Sequence, residues 1–138
     1  MTNGFSNLNI VSNCDMPYDY EYMGVDGVTK TGFHIQVLGQ FSKKVQNAVI
    51  ALENKDRIRE FEARKRGKQE SPKTAESDLQ DTYEAVACRI CGWNGTVNGA
   101  EVPEYSEENA IELVKVNPII RAKVLEISND ITNFTKSK

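Results

Sequence analysis

The sequence predicts an α+β fold, mainly helical, in which a small N-terminal antiparallel sheet or hairpin is followed by about four α-helices. Phe33, Ile35 and Val37 alternate with polar residues, and this period of two is typical of a strand with one buried face. A stripe of apolar residues spaced by four and three is typical of an amphipathic helix at the other end of the chain. Its members are Ile120, Val124, Ile127, Ile131 and Phe134.

Length and composition limit the classes of protein that fit. The chain has 138 residues, 39% of them hydrophobic and 27% charged, so a single globular domain over residues 1–138 is predicted. A formal net charge of −3 argues against a protein whose main task is to bind nucleic acid. Three cysteines, an odd number, do not suit a disulfide-stapled scaffold. The polar N-terminus predicts no signal peptide, and no apolar run approaches the length of a membrane span.

The β-rich part is predicted over residues 1–40. The stretch GFSNLNIV, from Gly4 to Val11, alternates imperfectly and is interpreted as a first strand before the turn chemistry around Pro17. The stretch from Tyr20 to Gly39 predicts a hairpin, because Asp26-Gly27 supplies a turn in which glycine reaches positive φ without steric cost. The apolar strand face that contains Ile35 requires a helix packed across it, and the helix that follows at once is expected to supply it.

A helix is predicted over residues 41–66, with Ser42 as its N-cap and an apolar face that ends near Leu52. Beyond that point its apolar residues thin to Ile58 and Phe61. Composition still favours a helix there, but one with too little apolar surface to be packed along its whole length. Two interpretations follow: this part projects into solvent or is covered by a partner, or it caps the protein's own sheet. Residues 67–75 are predicted to be a flexible linker, rich in turn residues and mixed charges.

The remaining residues, 76–138, are predicted to be helical apart from a short turn or hairpin at 93–103. A helix is expected from Leu79 to Ile90, terminated by Gly92. Ser106 is predicted to cap the next helix, with acidic residues in its first turn, where the helix dipole favours them. Pro118 is predicted at the first position of the last helix, which should continue to Phe134.

Cys88 and Cys91 raise the question of a metal or redox site. With Cys14 and His34 they would complete a tetrahedral set of zinc ligands, but those two partners lie far away in the sequence and in different predicted elements. A redox dithiol requires a helix N-terminus, whereas this pair falls at the predicted C-terminal end. Packing as small apolar side chains is therefore the favoured interpretation, and no metal site is predicted.

No catalytic motif accompanies these residues. His34, the one histidine, has no recognisable base or nucleophile partner, and no phosphate-binding loop, nucleophile elbow or zinc-protease motif occurs. The sequence therefore predicts a protein that is not an enzyme and that needs no cofactor.

The basic run RKRGK, from Arg64 to Lys68, is the one candidate for nucleic-acid binding. Acidic residues are interspersed among the basic residues before it, and Phe61 is the only aromatic side chain nearby that could stack on a base. A solvated helix end is the favoured interpretation. A small nucleic-acid-binding regulator stays open as an alternative.

Two longer stretches together resemble a known family. The first, DGVTKTGFHIQVLGQFSKKVQNAV, joins a turn and strand to a serine-capped helix; the second runs from ICGWNG through VPEYSEEN to a proline-started helix that ends in Asn-Phe. This order resembles the small tail assembly chaperones of long-tailed, siphovirus-like bacteriophages. The likeness covers about residues 26–50 and 90–134. Its matched positions are Gly92, Trp93, Gly95, Pro103, Ser106, Glu108, Asn109, Pro118, Asn133 and Phe134, which the resemblance implies are architectural.

The resemblance implies a non-catalytic protein of the host-cell cytoplasm that binds the tape measure protein, keeps it soluble during tail assembly and is absent from the mature virion. It also implies that the tail tube protein can be a partner through a longer form made by translational frameshifting, and that copies can self-associate. Ile58, Phe61 and Arg64 are the residues we expect to contact the client or another copy. A structural virion component, such as a tail-completion or head–tail joining protein, is the main alternative.

Overall fold

The computed structural model describes residues 9–65, 67 and 75–134, and within them three strands and five α-helices form an α+β fold, as predicted. The predicted linker at 67–75 lies outside the described residues except at its two ends. The elements are α1 (Ile10–Cys14), β1 (Tyr18–Glu21), β2 (Phe33–Val37), α2 (Lys43–Lys65), α3 (Ala75–Ala87), β3 (Ile90–Gly95), α4 (Glu107–Val116), α5 (Pro118–Asn129) and a short 3-10 helix (Ile131–Phe134).

The sheet is antiparallel with the order β1-β2-β3, so β2 is its central strand. The predicted hairpin between the first two strands is confirmed, and Gly27 adopts φ 73° in the connecting loop. Phe33, Ile35 and Val37 are buried on one face, as their alternation predicts. A helix does pack on this apolar face, but it is α5 and not α2, the helix that directly follows β2 and was expected there; α2 packs against α3 instead.

The stretch from Ile90 to Gly95 forms β3, and the prediction of a helix through Ile90 that Gly92 terminates is wrong. α3 ends at Ala87, and the chain then returns to pair with β2. Ile90 is fully buried opposite Val37, whereas Gly92 lies opposite Gln36, so the register shifts and Cys91 is left without a partner in the ladder. The helical spacing continues past the end of α3, but backbone pairing with β2 and the burial of Ile90 outweigh it.

The helix starts in the second half of the chain follow the predicted capping chemistry. The Asn109 N–H donates to Ser106 Oγ at 3.0 Å, which caps α4. The Ile120 N–H donates to Asn117 Oδ1 at 3.0 Å, and Pro118 occupies the first position of α5. The core lies between the sheet and these helices. Its most buried large side chains are Phe33, Ile35, Val37, Ile90, Val114, Ile120 and Val124.

Two terminal predictions are corrected. Ile10 and Val11 belong to helix α1 rather than to a strand, because the Asn9 side chain accepts a hydrogen bond from the Ser12 N–H at 2.9 Å and caps the helix; the rest of that predicted strand lies outside the described residues. The last α-helix ends at Asn129 instead of Phe134. Asp130 Oδ1 accepts from both the N–H and the hydroxyl of Thr132, and this local turn competes with further helix.

The backbones of β2 and β3 approach so closely at Gly95 that only glycine fits. A Cβ at this position would lie 1.9 Å from the Gly32 carbonyl oxygen, and Gly95 has φ 88°. Gly92, in the same strand, has no atom within 4 Å of the position that its Cβ would take. The identity of Gly95 therefore fixes how closely β3 can pair at this end.

We expect Gly95→Ala to lower the free energy of unfolding by about 2–5 kcal/mol, since it combines a steric clash with a strained backbone. Urea unfolding followed by circular dichroism measures the change. Gly92→Ala is the matched control, with an expected change within about 1 kcal/mol. Equal losses for the two variants would contradict this account of the strand pairing.

Candidate protein-binding surface

The outer face of α2 carries an exposed apolar stripe, which we define as Ile50, Ile58 and Phe61. Their side chains are 52%, 59% and 67% exposed. At about 100° per residue the three positions fall within roughly 80° around the helix, over a length of about 16 Å. Along the 23 residues of α2, all of them described, only Val45 is buried. These apolar side chains therefore share one exposed face of the helix, on which Asn54 lies between Ile50 and Ile58.

The opposite face of α2 packs against α3, and its character changes along the helix. Leu52 is half-buried near the N-terminal half, whereas the same face further along is occupied by Asp56 and Arg59. Lys55 Nζ lies 3.3 Å from Asp81 Oδ1 and 3.9 Å from Glu84 Oε2 on α3. This part of α2 therefore contacts α3 through polar side chains. Each such contact contributes little at a surface. Because Ile58 and Phe61 point away from this contact into solvent, they do not cap the sheet.

Arg64 is exposed in the last turn of α2, beside Lys65. Basic side chains at this end interact favourably with the helix dipole. The Gly67 N–H donates to the Arg64 carbonyl oxygen at 3.0 Å, with Gly67 at φ 68°. The Arg64 side chain lies three residues after Phe61 and so borders the C-terminal end of the apolar stripe. The rest of the basic run, Arg66 and Lys68, lies outside the described residues.

A groove of about 490 Å³ opens between α2, α3 and α4. Its apolar lining includes Ala48, Leu52, Ala87 and Ile111, and its charged lining includes Lys44, Lys55, Glu84 and Glu107. Ala51 lines the groove and lies seven residues before Ile58, which places the two side chains on nearly the same side of the helix. The groove and the apolar stripe therefore lie on neighbouring parts of α2, with Asn54 and Lys55 between Ala51 and Ile58.

Trp93 joins β3 to the segment before α4. Its indole N–H donates to the Pro103 carbonyl oxygen at 2.9 Å, and its ring packs edge-on against Phe33 and Tyr105. The Tyr105 hydroxyl donates to the Ile90 carbonyl oxygen at 2.9 Å, and Lys44 Nζ lies 3.3 Å from that hydroxyl. The tryptophan and tyrosine thus cover the start of β3 and position one wall of the groove.

The other positions shared with the chaperone-like pattern also make local contacts. The Asn109 side chain donates to the Glu104 carbonyl oxygen at 2.8 Å, and that of Asn133 donates to the Ile127 carbonyl oxygen at 3.1 Å. Phe134 is buried and its ring contacts Tyr18 edge-on. These contacts connect turns and helix ends and lie away from the apolar stripe.

Cys14, Cys88 and Cys91 are all free thiols. Burial raises the pKa of the Cys14, Cys88 and Cys91 thiols above the ordinary value, so each stays protonated at neutral pH. The Cys88 thiol donates to the Ala85 carbonyl oxygen, and His34 Nδ1 lies 2.8 Å from Asp19 Oδ2 on the open face of the sheet. In the part of the chain that the structure describes, no group of three or more His, Cys, Asp or Glu residues could hold a metal ion.

Sequence reasoning found two members of the stripe but missed Ile50 and the groove. Ile50 lies between Val49 and Ala51, where apolar residues are most frequent in the helix. Residue type alone therefore does not indicate that the Ile50 side chain points outward. A helical projection would separate it from Val45 and Leu52. The groove depends on how α2, α3 and α4 pack, which periodicity does not specify. No described helix is long and apolar enough to cross a membrane.

The fold and this surface define a small α+β protein with an exposed helical face. Residues 40–138 match the family model described as YdaY prophage protein. Because this match covers more than half of the chain, the protein belongs to that prophage family. The bacteriophage origin implied by the resemblance is thereby confirmed at the family level. No curated protein and no solved structure gives a significant match.

We expect the free energy of unfolding of the double variant Ile58→Ser, Phe61→Ser to lie within about 0.5 kcal/mol of that of the unchanged protein. Both side chains are already largely exposed to water. Urea denaturation provides the measurement. As a control, Ile120→Ala removes a fully buried side chain and should cost about 2–5 kcal/mol. A loss of that size in the double variant would mean that the stripe belongs to the folded core.

Proposed function

We propose that this prophage protein is a tail assembly chaperone that binds the tape measure protein, keeps it soluble during tail morphogenesis and performs no catalysis. The observation that carries the proposal is the line of Ile50, Ile58 and Phe61 on the outer face of α2, exposed in a helix that buries only Val45. Membership of a prophage family supports the setting. The order of motifs from Gly92 to Phe134 supports the choice of chaperone.

The surface suits a helical client. An amphipathic helix can lay its apolar side into a groove and contact the receptor over several turns. The stripe offers about 16 Å, close to three helical turns, and the groove beside it offers small side chains that permit close approach. Arg57 and Arg64 border the stripe on the same side as Glu53 and Glu60, so the border can pair with a client of mixed charge.

Binding by one copy should be weak and reversible. Full burial of an exposed isoleucine or phenylalanine contributes about 1.5–3 kcal/mol, and these side chains are already partly covered. Association also costs translational and rotational freedom, so three such side chains give modest affinity. A long client with many sites could be coated by many copies, and each weakly bound copy could still be displaced as tube subunits assemble. This mode fits a chaperone that acts in the host cytoplasm and leaves before the virion is complete.

The direct test is co-expression with the tape measure protein encoded in the same prophage. The unchanged chaperone should raise the soluble fraction of that protein and co-purify with it. The Ile58→Ser, Phe61→Ser variant should remain folded and lose most of both effects, because the client then loses the apolar contact. Solubility and pull-down yield are the measurements.

Val25→Ser, Val28→Ser is the matched control, since both valines are exposed on the β1–β2 loop, away from α2. It should retain client binding. Equal loss in both variants would indicate non-specific hydrophobic contact. If mass spectrometry instead finds the protein in purified virions at a fixed stoichiometry, it is a structural component and the chaperone proposal is wrong. Salt-dependent binding to DNA, without binding to the client, would favour the nucleic-acid alternative.

A further inference from the structure

The outer edge of the sheet offers a second surface, unrelated to α2. β1 pairs with β2 on one side, and among the described residues no strand pairs with its other side, which is an edge in the order β1-β2-β3. A cavity of about 380 Å³ lies along that edge, between β1 and the C-terminal part of α5. Open strand edges present unpaired backbone donors and acceptors to which another chain can add.

The hydrogen-bond pattern identifies which residues face this cavity. The Tyr22 N–H donates to the Phe33 carbonyl oxygen at 2.9 Å, in register with the pair formed by Tyr20 and Ile35. In an antiparallel ladder, alternate residues direct their backbone groups to the partner and the residues between them direct theirs away. The N–H and carbonyl groups of Asp19 and Glu21 are therefore directed to the open edge.

The charged side chains along this edge indicate which kind of segment could bind there. Carboxylates outnumber cations along the cavity: Asp19 and Glu21 lie on β1 and Glu126 and Asp130 at the end of α5, with Lys123 as the cation. Lys123 Nζ lies 3.6 Å from Glu126 Oε1, so Glu126 is already paired and the other three carboxylates remain for a partner. The His34 and Gln36 side chains hydrogen-bond the carboxylate of Asp19, and the bond from His34 is the main cause of its lowered pKa. A second copy added at this edge would bring like charges together, so charge disfavours self-pairing.

We propose that β1 binds an extended, basic peptide segment of a protein partner, which adds as a fourth strand beside Asp19 and Glu21. Side chains of an added strand alternate between the two faces of the sheet. Lysine or arginine on the outer face would meet Asp19 and Glu21, and on the inner side would meet Glu126 and Asp130. Whether the cationic side chains of the added strand lie on the outer or the inner face, they come near carboxylates. Backbone hydrogen bonds to β1 provide the rest of the contact.

The test uses the whole protein and a fluorescein-labelled peptide of alternating lysine and valine, followed by fluorescence anisotropy at low salt. Binding should weaken as salt is added and by about three- to tenfold in Glu21→Lys. Glu101→Lys, at an exposed position between β3 and α4, makes the same change in net charge away from both the edge and α2, and it should bind like the unchanged protein. A peptide of alternating glutamate and valine should bind much more weakly.

Amide hydrogen exchange separates strand addition from general charge attraction. The peptide should slow exchange at the Asp19 and Glu21 amides while leaving those of Tyr20 and Tyr22, already directed to β2, nearly unchanged. Peptide binding without this alternation would overturn the proposal, as would equal weakening by Glu101→Lys or no binding at all. Protection of Asp19 and Glu21 before peptide is added, in a dimer seen by light scattering, would assign the edge to a second copy instead.

Discussion

The pairing of β3 with β2 is the interaction on which the rest of the structure depends. It brings Ile90 and Trp93 back to a strand more than fifty residues earlier in the sequence, and the Gly95–Gly32 approach sets its spacing. Closing the long loop between β2 and β3 costs chain entropy. Burial of the apolar sheet face that the pairing completes must offset this cost. With β3 paired, α5 covers β2, and the second half of α2 contributes no buried side chain to the core.

Because the core is complete without the second half of α2, the apolar side chains of Ile58 and Phe61 can remain exposed to solvent. The sheet is covered by α5, and the inner face of α2 is held to α3 by Lys55 and its two carboxylate partners. Ile58 and Phe61 are consequently not needed by the folded domain. A single domain rarely keeps an aligned apolar stripe on its surface without a use, whereas scattered apolar residues are common. The stripe is therefore the feature that function must explain in this prophage protein.

Much of the fold could be predicted from sequence because it rests on local chemistry. Ser42, Ser106 and Asn117 cap helices through their own side chains, and the alternation around Ile35 fixes the buried face of β2. β3 was missed because Leu79, Tyr83, Val86 and Ile90 keep a helical spacing that says nothing about a distant strand. The candidate surface was found in part: Ile58 and Phe61 stand out where apolar residues are sparse. Ile50 and the groove required the packing of three helices.

The central claim is that the outer face of α2 contacts the tape measure protein, and site-specific photo-crosslinking tests it most directly. A benzoylphenylalanine in place of Phe61 should crosslink to that protein in cells that assemble tails. The same probe in place of Val25, which is also exposed, should give little or none. Crosslinks of equal yield from both positions, or crosslinks from position 61 only to other copies of this chain, would contradict the account.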